Sequence, residues 1–335
     1  MKYSFVMARV QSHFKYLQDL GYDVVCTCLQ GSQNYGLDEY TEEYTSDVDT
    51  KSIIMPSIDD FVKGKQPVST IEEMSNGEHA EVKDIRIMFE MFKKMNISYI
   101  ELLYSNYVII NPKWEELIRT LFQERELISG HFRNQFIRCI VGMAYEKQKA
   151  LCHPYPNIKD KIDKYGYDGK QLSHCFRLLD FLEKYKSGLP LAACYKVDEP
   201  RKIVMMNFKK QKTWDGKDIL PVETAIEYCD KIVEQIKQLR DEMIGAEVVH
   251  KEARAFLDEL QYKMIKGGNT MDKNNGSSGL GLSSVLTIIF VVLKLVGVIN
   301  WSWWWVISPT LISLGLWLIV IVIYAIYLVH ENSKY

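Results

Sequence analysis

Two short stretches, Gly31–Gly36 (GSQNYG) and Ser46–Asp49 (SDVD), decide the fold of this chain. The apolar, β-prone run Val24–Leu29 leads into the first stretch, and Ser52–Met55 follows the second. This order predicts a strand, a glycine turn, a loop and a second strand. Because alternate residues of a strand point to the same face, the two aspartates of the second stretch are expected to share a face.

Asp47 and Asp49 carry the chemistry that this pattern suggests. Two carboxylates on one face can bind one or two Mg²⁺ ions, which prefer oxygen ligands and share them with the phosphates of a substrate. The turn at Gly31 and Ser32 offers backbone N–H groups and a hydroxyl, which suit a phosphate tail. Either stretch alone is more often a solvated strand or a plain turn. The two in order favour transfer of a nucleotide or phosphoryl group.

The combination resembles the signature of the DNA polymerase β-type nucleotidyltransferase superfamily, in which Gly-Ser is followed by Asp-x-Asp. The longer form, Gly-Ser-x-x-Tyr-Gly with a later Ser-Asp-x-Asp, is similar to the predicted RNA-repair-associated branch of bacteria and large phages. The resemblance covers roughly residues 20–260. It implies that Asp47 and Asp49 bind the metals and that a carboxylate on a later strand completes the site. The segment 37–45 is longer and more acidic than the family's usual connection, and it is a candidate flap.

The third carboxylate is expected on a third strand at residues 78–86. Glu81 is the best positional match to the family pattern, and it alternates with Val82 at the centre of that strand. Asp84, three residues further on and nearer the following helix, is the competitor. The family more often has an aspartate at this place, so Glu81 departs from the pattern. The resemblance therefore implies a two-metal Mg²⁺ site of Asp47, Asp49 and Glu81, with Asp84 as the alternative to Glu81.

In a second stretch, Tyr165–Leu179, an Asp168-Gly169 turn precedes a helix. Lys170, His174 and Arg177 lie at i, i+4 and i+7 and so form one stripe. Cations near a helix start make an anion site, because the helix dipole adds to their charge, although a solvated basic face is the competing interpretation.

The stretch Gly-Tyr-Asp-x-Lys with a later His-x-x-Arg-Leu-Leu is similar to the second signature of the same branch, which lies in its helical domain. The resemblance implies that the stripe faces the cleft and binds the nucleotide or the acceptor. The nucleotide-binding residues that the two signatures imply are Gly31, Ser32, Tyr35, Lys170, His174 and Arg177.

Composition is that of an ordinary globular protein, with 47% hydrophobic and 25% charged residues in a chain of 335. The net charge of −2 excludes a global basic field, so contact with RNA requires a local patch, and no recognition of DNA sequence is expected.

The seven cysteines form no Cys-x-x-Cys pair and are expected to be reduced thiols of a cytoplasmic catalytic body. Histidine–cysteine neighbours point in different directions, so zinc is not expected.

The chain is predicted to be an α+β protein in four parts. These are a nucleotidyltransferase catalytic domain with a small mixed sheet at 1–125, an α-helical nucleotide- and acceptor-binding domain at 126–266, a flexible linker at 267–284, and a transmembrane helical hairpin at 285–329. Glycine and serine mark the linker.

The hairpin prediction rests on two apolar runs near the C-terminus. The run Val306–Val329 is long enough to cross a bilayer, whereas Val285–Ile299 is shorter and contains Lys294. The tryptophans at 301–305 (WSWWW) fit an interfacial belt, and the flanking charges favour both ends in the cytoplasm. A buried helical pair in a large soluble assembly is the alternative. The tail also looks like a small phage membrane protein, with Met271 where a separate reading frame could begin, which suggests a fusion or a read-through of two neighbouring frames.

The predicted activity is metal-dependent transfer of a nucleoside monophosphate from an NTP to a hydroxyl acceptor, with release of pyrophosphate. The resemblance favours an RNA or tRNA end as the acceptor. Two other classes stay open: a nucleotide-signalling or toxin-modifying nucleotidyltransferase, and a non-catalytic, membrane-anchored nucleotide-binding module. The candidates for contact with the acceptor strand are Arg133, Arg138, Lys209, Lys210 and Lys212.

Overall fold

The computed structural model describes residues 2–41, 45–246 and 248–272, together with Lys294, Ser302 and Trp305. The chain divides into two compact units, Met1–Gly268 and Asn269–Tyr335. Every predicted site residue lies in the first unit.

A five-stranded mixed sheet is built from the first part of the chain. Its strands are β1 (Val24–Gln30), β2 (Asp49–Ile54), β3 (Ser69–Glu73), β4 (His79–Asp84) and β5 (Val108–Ile110), in the spatial order β3-β4-β2-β1-β5. Strand β2 pairs antiparallel with β1 and parallel with β4, while β3 and β5 add antiparallel edges. The predicted strands on either side of the glycine turn and the predicted third strand are confirmed. The two edge strands were not predicted, because one is half-exposed and polar and the other has three residues.

Helices cover the sheet and form the rest of the unit. They are α1 (Lys2–Asp19), α2 (Ser32–Tyr35), α3 (Ile58–Val62), α4 (Ile85–Lys93), α5 (Ile97–Ile100), α6 (Glu115–Gln123), α7 (Arg125–Gly130), α8 (Arg133–Ala150), α9 (Lys159–Tyr165), α10 (Gly169–Lys186), α11 (Leu191–Cys194), α12 (Glu199–Lys209), α13 (Val222–Met243) and α14 (Lys251–Asp272), with 3₁₀ turns at Glu101–Tyr104, Pro112–Trp114 and Pro156–Ile158. Helix α10 is central, because it contacts α8, α12 and α13.

The two faces of the sheet bury different groups. Helix α1 packs on one face, where its Phe14 and Leu17 join Val24, Ile54 and Val82 in one apolar cluster. The opposite face contributes Cys26, Cys28 and Ile53 to a larger core that extends through the helices. Residues on both sides of the predicted domain boundary at 125/126, such as Ile118 and Phe136, belong to that same core.

The predicted fold class is wrong in its membrane part. The fold is mixed α/β, with a small five-stranded sheet and mostly helices, and within the described ranges no helix is long and apolar enough to cross a membrane. The long helices α13 and α14 carry charged residues along their length, which suits amphipathic packing on a protein core. The predicted hairpin at 285–329 falls outside the described residues, apart from Lys294, Ser302 and Trp305.

Candidate functional site

The glycine turn is a one-turn helix held between two glycines in positive-φ conformations. Gly31, with φ 110° and ψ −151°, precedes α2, and Gly36, with φ 78°, ends it by donating its N–H to the Ser32 carbonyl. Both φ values lie in the region that only glycine adopts without strain. The sequence therefore dictates a tight reversal between β1 and the loop that leads to β2, with Ser32 at its start.

Hydrogen bonds tie the glycine turn to the Asp-x-Asp stretch and to the segment between α11 and α12. Gln33 Nε2 donates to the carbonyl of Asp47 at 2.6 Å, and Asn34 Nδ2 donates to the Leu29 carbonyl at 2.8 Å. From the helical part, Lys196 Nζ donates to the Asn34 carbonyl at 2.6 Å, and the Val197 N–H donates to the Tyr35 carbonyl at 3.1 Å. The turn is thus fixed from both sides of the chain.

Asp47 and Asp49 occupy the entrance to β2. Asp47 is exposed and lies two residues before the first residue of the strand. That first residue, Asp49, is half-buried and accepts a hydrogen bond from the His79 N–H at 3.1 Å. Thr50 contacts His13 of α1, so strand alternation turns Asp49 to the sheet face opposite α1.

Glu81 shares that face with Asp49, and Asp84 does not. Glu81 lies opposite Lys51 in the parallel β2–β4 register, and its Oε2 is 3.2 Å from Lys51 Nζ. Asp84 has the opposite alternation, is fully buried, and caps α4 by accepting from the Arg86 N–H. Its carboxylate also pairs with the Arg86 guanidinium, Oδ2 to Nη2, at 2.7 Å. Both oxygens of Asp84 are therefore used to cap α4 and to pair with Arg86, and Glu81 is the better candidate for the third carboxylate.

The predicted magnesium ligands fit the ion by their chemistry, but they are not all gathered. Within residues 2–41, 45–246 and 248–272, no group of three or more His, Cys, Asp or Glu side chains is placed to hold a metal ion. Glu81 is neutralised by buried Lys51, whose ammonium also lies 4.2 Å from the centre of the Tyr99 ring. Asp47 and Asp49 present oxygens to solvent, and two such carboxylates suit Mg²⁺ that completes its shell with phosphate oxygens and water.

Arg177 of α10 brings the second sequence motif onto the first. Its guanidinium carbon lies 4.0 Å from the centre of the Tyr35 ring. The side chain is 6% exposed, and its Nε and Nη1 are buried without a hydrogen-bond partner. Burial raises the pKa of Tyr35, whose hydroxyl donates to the buried carboxylate of Glu101. Because unpaired buried N–H groups are costly and rare, Arg177 is suited to receive an anion.

Close helix packing gathers further cations around α10. The start of α10 touches the end of α12 so closely that a Cβ on Gly169 would lie 2.0 Å from the Phe208 carbonyl oxygen. This contact places Lys209 beside Lys170. On another side, Cys175 Sγ lies 3.7 Å from the Ala144 carbonyl oxygen, which places α8 and its Lys147 beside α10.

These charges act on one another. Burial and then the positive charges of Arg177, Lys147, Lys170 and Lys209 lower the pKa of His174 well below its usual value, so the imidazole is neutral at pH 7. Burial and then Arg177 and Lys170 lower the pKa of Lys147. We call Lys147, Lys170, His174, Arg177 and Lys209 the basic cluster. Lys147 had no sequence signal, because it reaches the cluster through the packing of α8.

The other predicted acceptor residues lie on α8 and just after the end of α12. Arg133 Nη1 donates to the Met243 carbonyl at 2.5 Å, which joins α8 to the end of α13. Lys210 Nζ lies 2.6 Å from Glu39 Oε2 and so ties α12 to the acidic segment that was predicted as a flap. Arg138 and Lys212 are exposed.

We expect His174→Gln to reduce the loss of stability on acidification. The pKa of His174 is lower in the folded than in the unfolded chain, so between these two values the unfolded chain binds more protons and unfolding is favoured as pH falls. This one group can lower the folding equilibrium constant by up to about tenfold per pH unit below about pH 6.5. Urea unfolding of wild type and variant at about pH 7.5 and about pH 5.5 measures the difference.

The matched variant His153→Gln changes an exposed histidine and reports the effect of the substitution by itself. An equal pH dependence of stability in wild type and His174→Gln would contradict the assignment of a neutral His174 to the folded chain.

Comparison of the chain with models of protein families and with curated proteins finds no match.

Proposed function

We propose that this chain is a metal-dependent nucleotidyltransferase that moves a nucleoside monophosphate from an NTP to a hydroxyl acceptor. One observation carries the proposal: the buried guanidinium of Arg177, with two unpartnered nitrogens, stacks on Tyr35 directly after the Gly-Ser turn. The two motifs that resemble the nucleotidyltransferase signatures are therefore in contact, although 141 residues lie between Tyr35 and Arg177 in the chain.

The proposed phosphate site combines the glycine turn with the basic cluster. Gly31 and Ser32 offer backbone N–H groups and a hydroxyl to the β- and γ-phosphates. Lys147, Lys170, Arg177 and Lys209 offset the charge of the triphosphate, and neutral His174 leaves one ring nitrogen able to donate a hydrogen bond. Because these groups are fixed before the substrate arrives, they stabilise the charge that develops on the leaving pyrophosphate without reorganisation.

The proposed carboxylate site lies on the sheet face opposite α1. Asp47 and Asp49 would hold Mg²⁺, which when bound neutralises phosphate charge and makes an acceptor hydroxyl more acidic. The acceptor hydroxyl gives its proton to solvent water, and its oxygen attacks the α-phosphorus. The bond from the α-phosphorus to the bridging oxygen breaks, and pyrophosphate leaves. Glu81 would join this site after release from Lys51, whose ammonium is then available to the phosphates. Positioning of the two reactants supplies much of the rate.

The acceptor is proposed from the resemblance alone, as an RNA or tRNA end. The test is incubation of the full chain with Mg²⁺, total RNA and each α-labelled NTP in turn, beside an Asp47→Ala/Asp49→Ala control. We expect label on RNA from one NTP, absent in the control and without Mg²⁺. Label on free oligonucleotides or on a protein would support the signalling or toxin-modifying alternative. Nucleotide binding with no labelled product of any kind would contradict an enzyme and favour a binding module.

A further inference from the structure

A buried polar network lies behind the Asp-x-Asp stretch, on the sheet face covered by α1. Its members are Arg9 and His13 of α1, Thr50 of β2, and Glu78 in the turn before β4. His13 and Thr50 are each 1% exposed and Glu78 is 7% exposed. We call these four residues the α1 network. The reaction proposed above uses none of them.

The donor and the acceptor of each hydrogen bond in the network can be assigned. Arg9 donates to Glu78 Oε2 from Nη2 at 2.6 Å and from Nε at 3.0 Å, and His13 Nε2 lies 3.0 Å from the same oxygen. Burial lowers the pKa of His13, so the ring is neutral near pH 7. Because a carboxylate only accepts, Nε2 carries the proton, and Nδ1 accepts from the Thr50 hydroxyl at 2.9 Å.

The network reaches the residues that alternate with the two aspartates. Glu78 Oε1 accepts from the Val48 N–H at 3.4 Å, and His13 holds Thr50. The next residue, His79 at the start of β4, donates its N–H to Asp49 Oδ1 at 3.1 Å. Residues 48 and 50 are therefore held from the α1 face, while Asp49 is held at its carboxylate.

The composition of the network argues for a role beyond packing. The ion pair of this network joins the half-buried Arg9 to buried Glu78. Such a pair adds little stability beyond that of apolar groups of the same volume, since desolvation offsets the attraction. Such networks do fix the orientation of groups that bind metals. Here the fixed segment is the one that carries both proposed magnesium ligands.

We infer that Glu78 is a positioning residue that, through His13 and the turn to His79, holds Asp47 and Asp49 ready for a divalent cation. The inference rests on the proposed function for the identity of the cation. The rigidity of residues 46–52 does not depend on the proposed function. Rigidity and cation binding can therefore be tested separately.

The test compares Glu78→Gln and Thr50→Val with the control Glu73→Gln in the full chain. Glu78→Gln keeps the shape of the side chain but removes the charge that Arg9 and His13 share. Thr50→Val replaces the hydroxyl by a methyl group, keeps a β-branched residue in the strand, and serves if the first variant fails to fold. Glu73 is an exposed residue of the preceding strand β3, so its variant matches the loss of charge.

Two measurements are made: amide hydrogen exchange of the segment 46–52, and Mn²⁺ binding by calorimetry without nucleotide. We expect both network variants to exchange this segment about tenfold faster and to raise the Mn²⁺ dissociation constant about tenfold, with Glu73→Gln unchanged. Unchanged exchange would overturn the inference, and so would faster exchange with unaltered Mn²⁺ affinity. If the wild-type chain binds no Mn²⁺, the proposed metal site fails, and exchange alone supports or overturns the holding of residues 46–52.

Discussion

Replacing Asp49 by asparagine is expected to reduce nucleotide transfer by at least about a thousandfold while leaving the fold intact, since about 4 kcal/mol of charge stabilisation is lost at the reacting centre. The amide has the volume of the carboxylate and can still accept from the His79 N–H, so its half-buried position keeps its local contact. It lacks the negative charge that a divalent cation requires. Rates with saturating NTP and thermal unfolding of the same sample measure the two effects.

Asp84→Asn is the matched control, because Asp84 was the alternative third carboxylate. It is expected to lower the free energy of unfolding by roughly 2–3 kcal/mol, as the buried side chain caps α4 and pairs with Arg86. Transfer per folded molecule is expected to stay close to wild type. Loss of transfer in Asp84→Asn with retention in Asp49→Asn would reverse the assignment of the two residues.

Gly169→Ala is expected to destabilise the chain by about 3 kcal/mol, at the upper end of overpacking changes. The new Cβ would lie 2.0 Å from the Phe208 carbonyl oxygen, which is backbone and cannot rotate away. Helices α10 and α12 must therefore separate. Because that contact places Lys209 beside Lys170, NTP affinity is expected to fall in the fraction that stays folded. Urea unfolding and nucleotide binding by calorimetry measure both.

Gly142→Ala is the same substitution at another position, and the expected change in the free energy of unfolding has the opposite sign. Gly142 lies within α8, where an added Cβ would meet nothing within 4 Å, so the change is expected to stabilise by about 0.5–1 kcal/mol through helix propensity alone. If Gly142→Ala and Gly169→Ala lose similar amounts of stability, the argument from the close approach of α10 and α12 is contradicted.

Local patterns predicted the elements that carry the site. Gly31 marks a positive-φ turn, Asp168 caps α10 by accepting from the Lys170 N–H, and the spacing of Lys170, His174 and Arg177 gives one helical stripe. Each of these depends on neighbours within a few residues, so the sequence alone contains the information.

Long-range contacts account for what the sequence did not predict. The ion pair of Lys51 with Glu81 depends on the register of β2 against β4, and Lys147 depends on how α8 packs on α10. His13 and Glu78 are 65 residues apart, and no sequence pattern around either residue predicts their contact. The membrane hairpin was predicted from apolar runs alone, and hydropathy reports burial without saying what covers the surface.

The hydrogen bonds that Lys196 and Val197 make to the carbonyls of Asn34 and Tyr35 have a consequence for synthesis of the chain. Gly31 leaves the ribosome roughly 180 residues before Lys209, which at ~5–20 residues per second is an interval of roughly ten to forty seconds. During that interval helices α10 and α12, which carry Lys170, His174, Arg177 and Lys209, have not yet been made. A stalled or truncated polypeptide would therefore carry the glycine turn and both aspartates without these four residues of the basic cluster, and the proposed phosphate site would be among the last features to form.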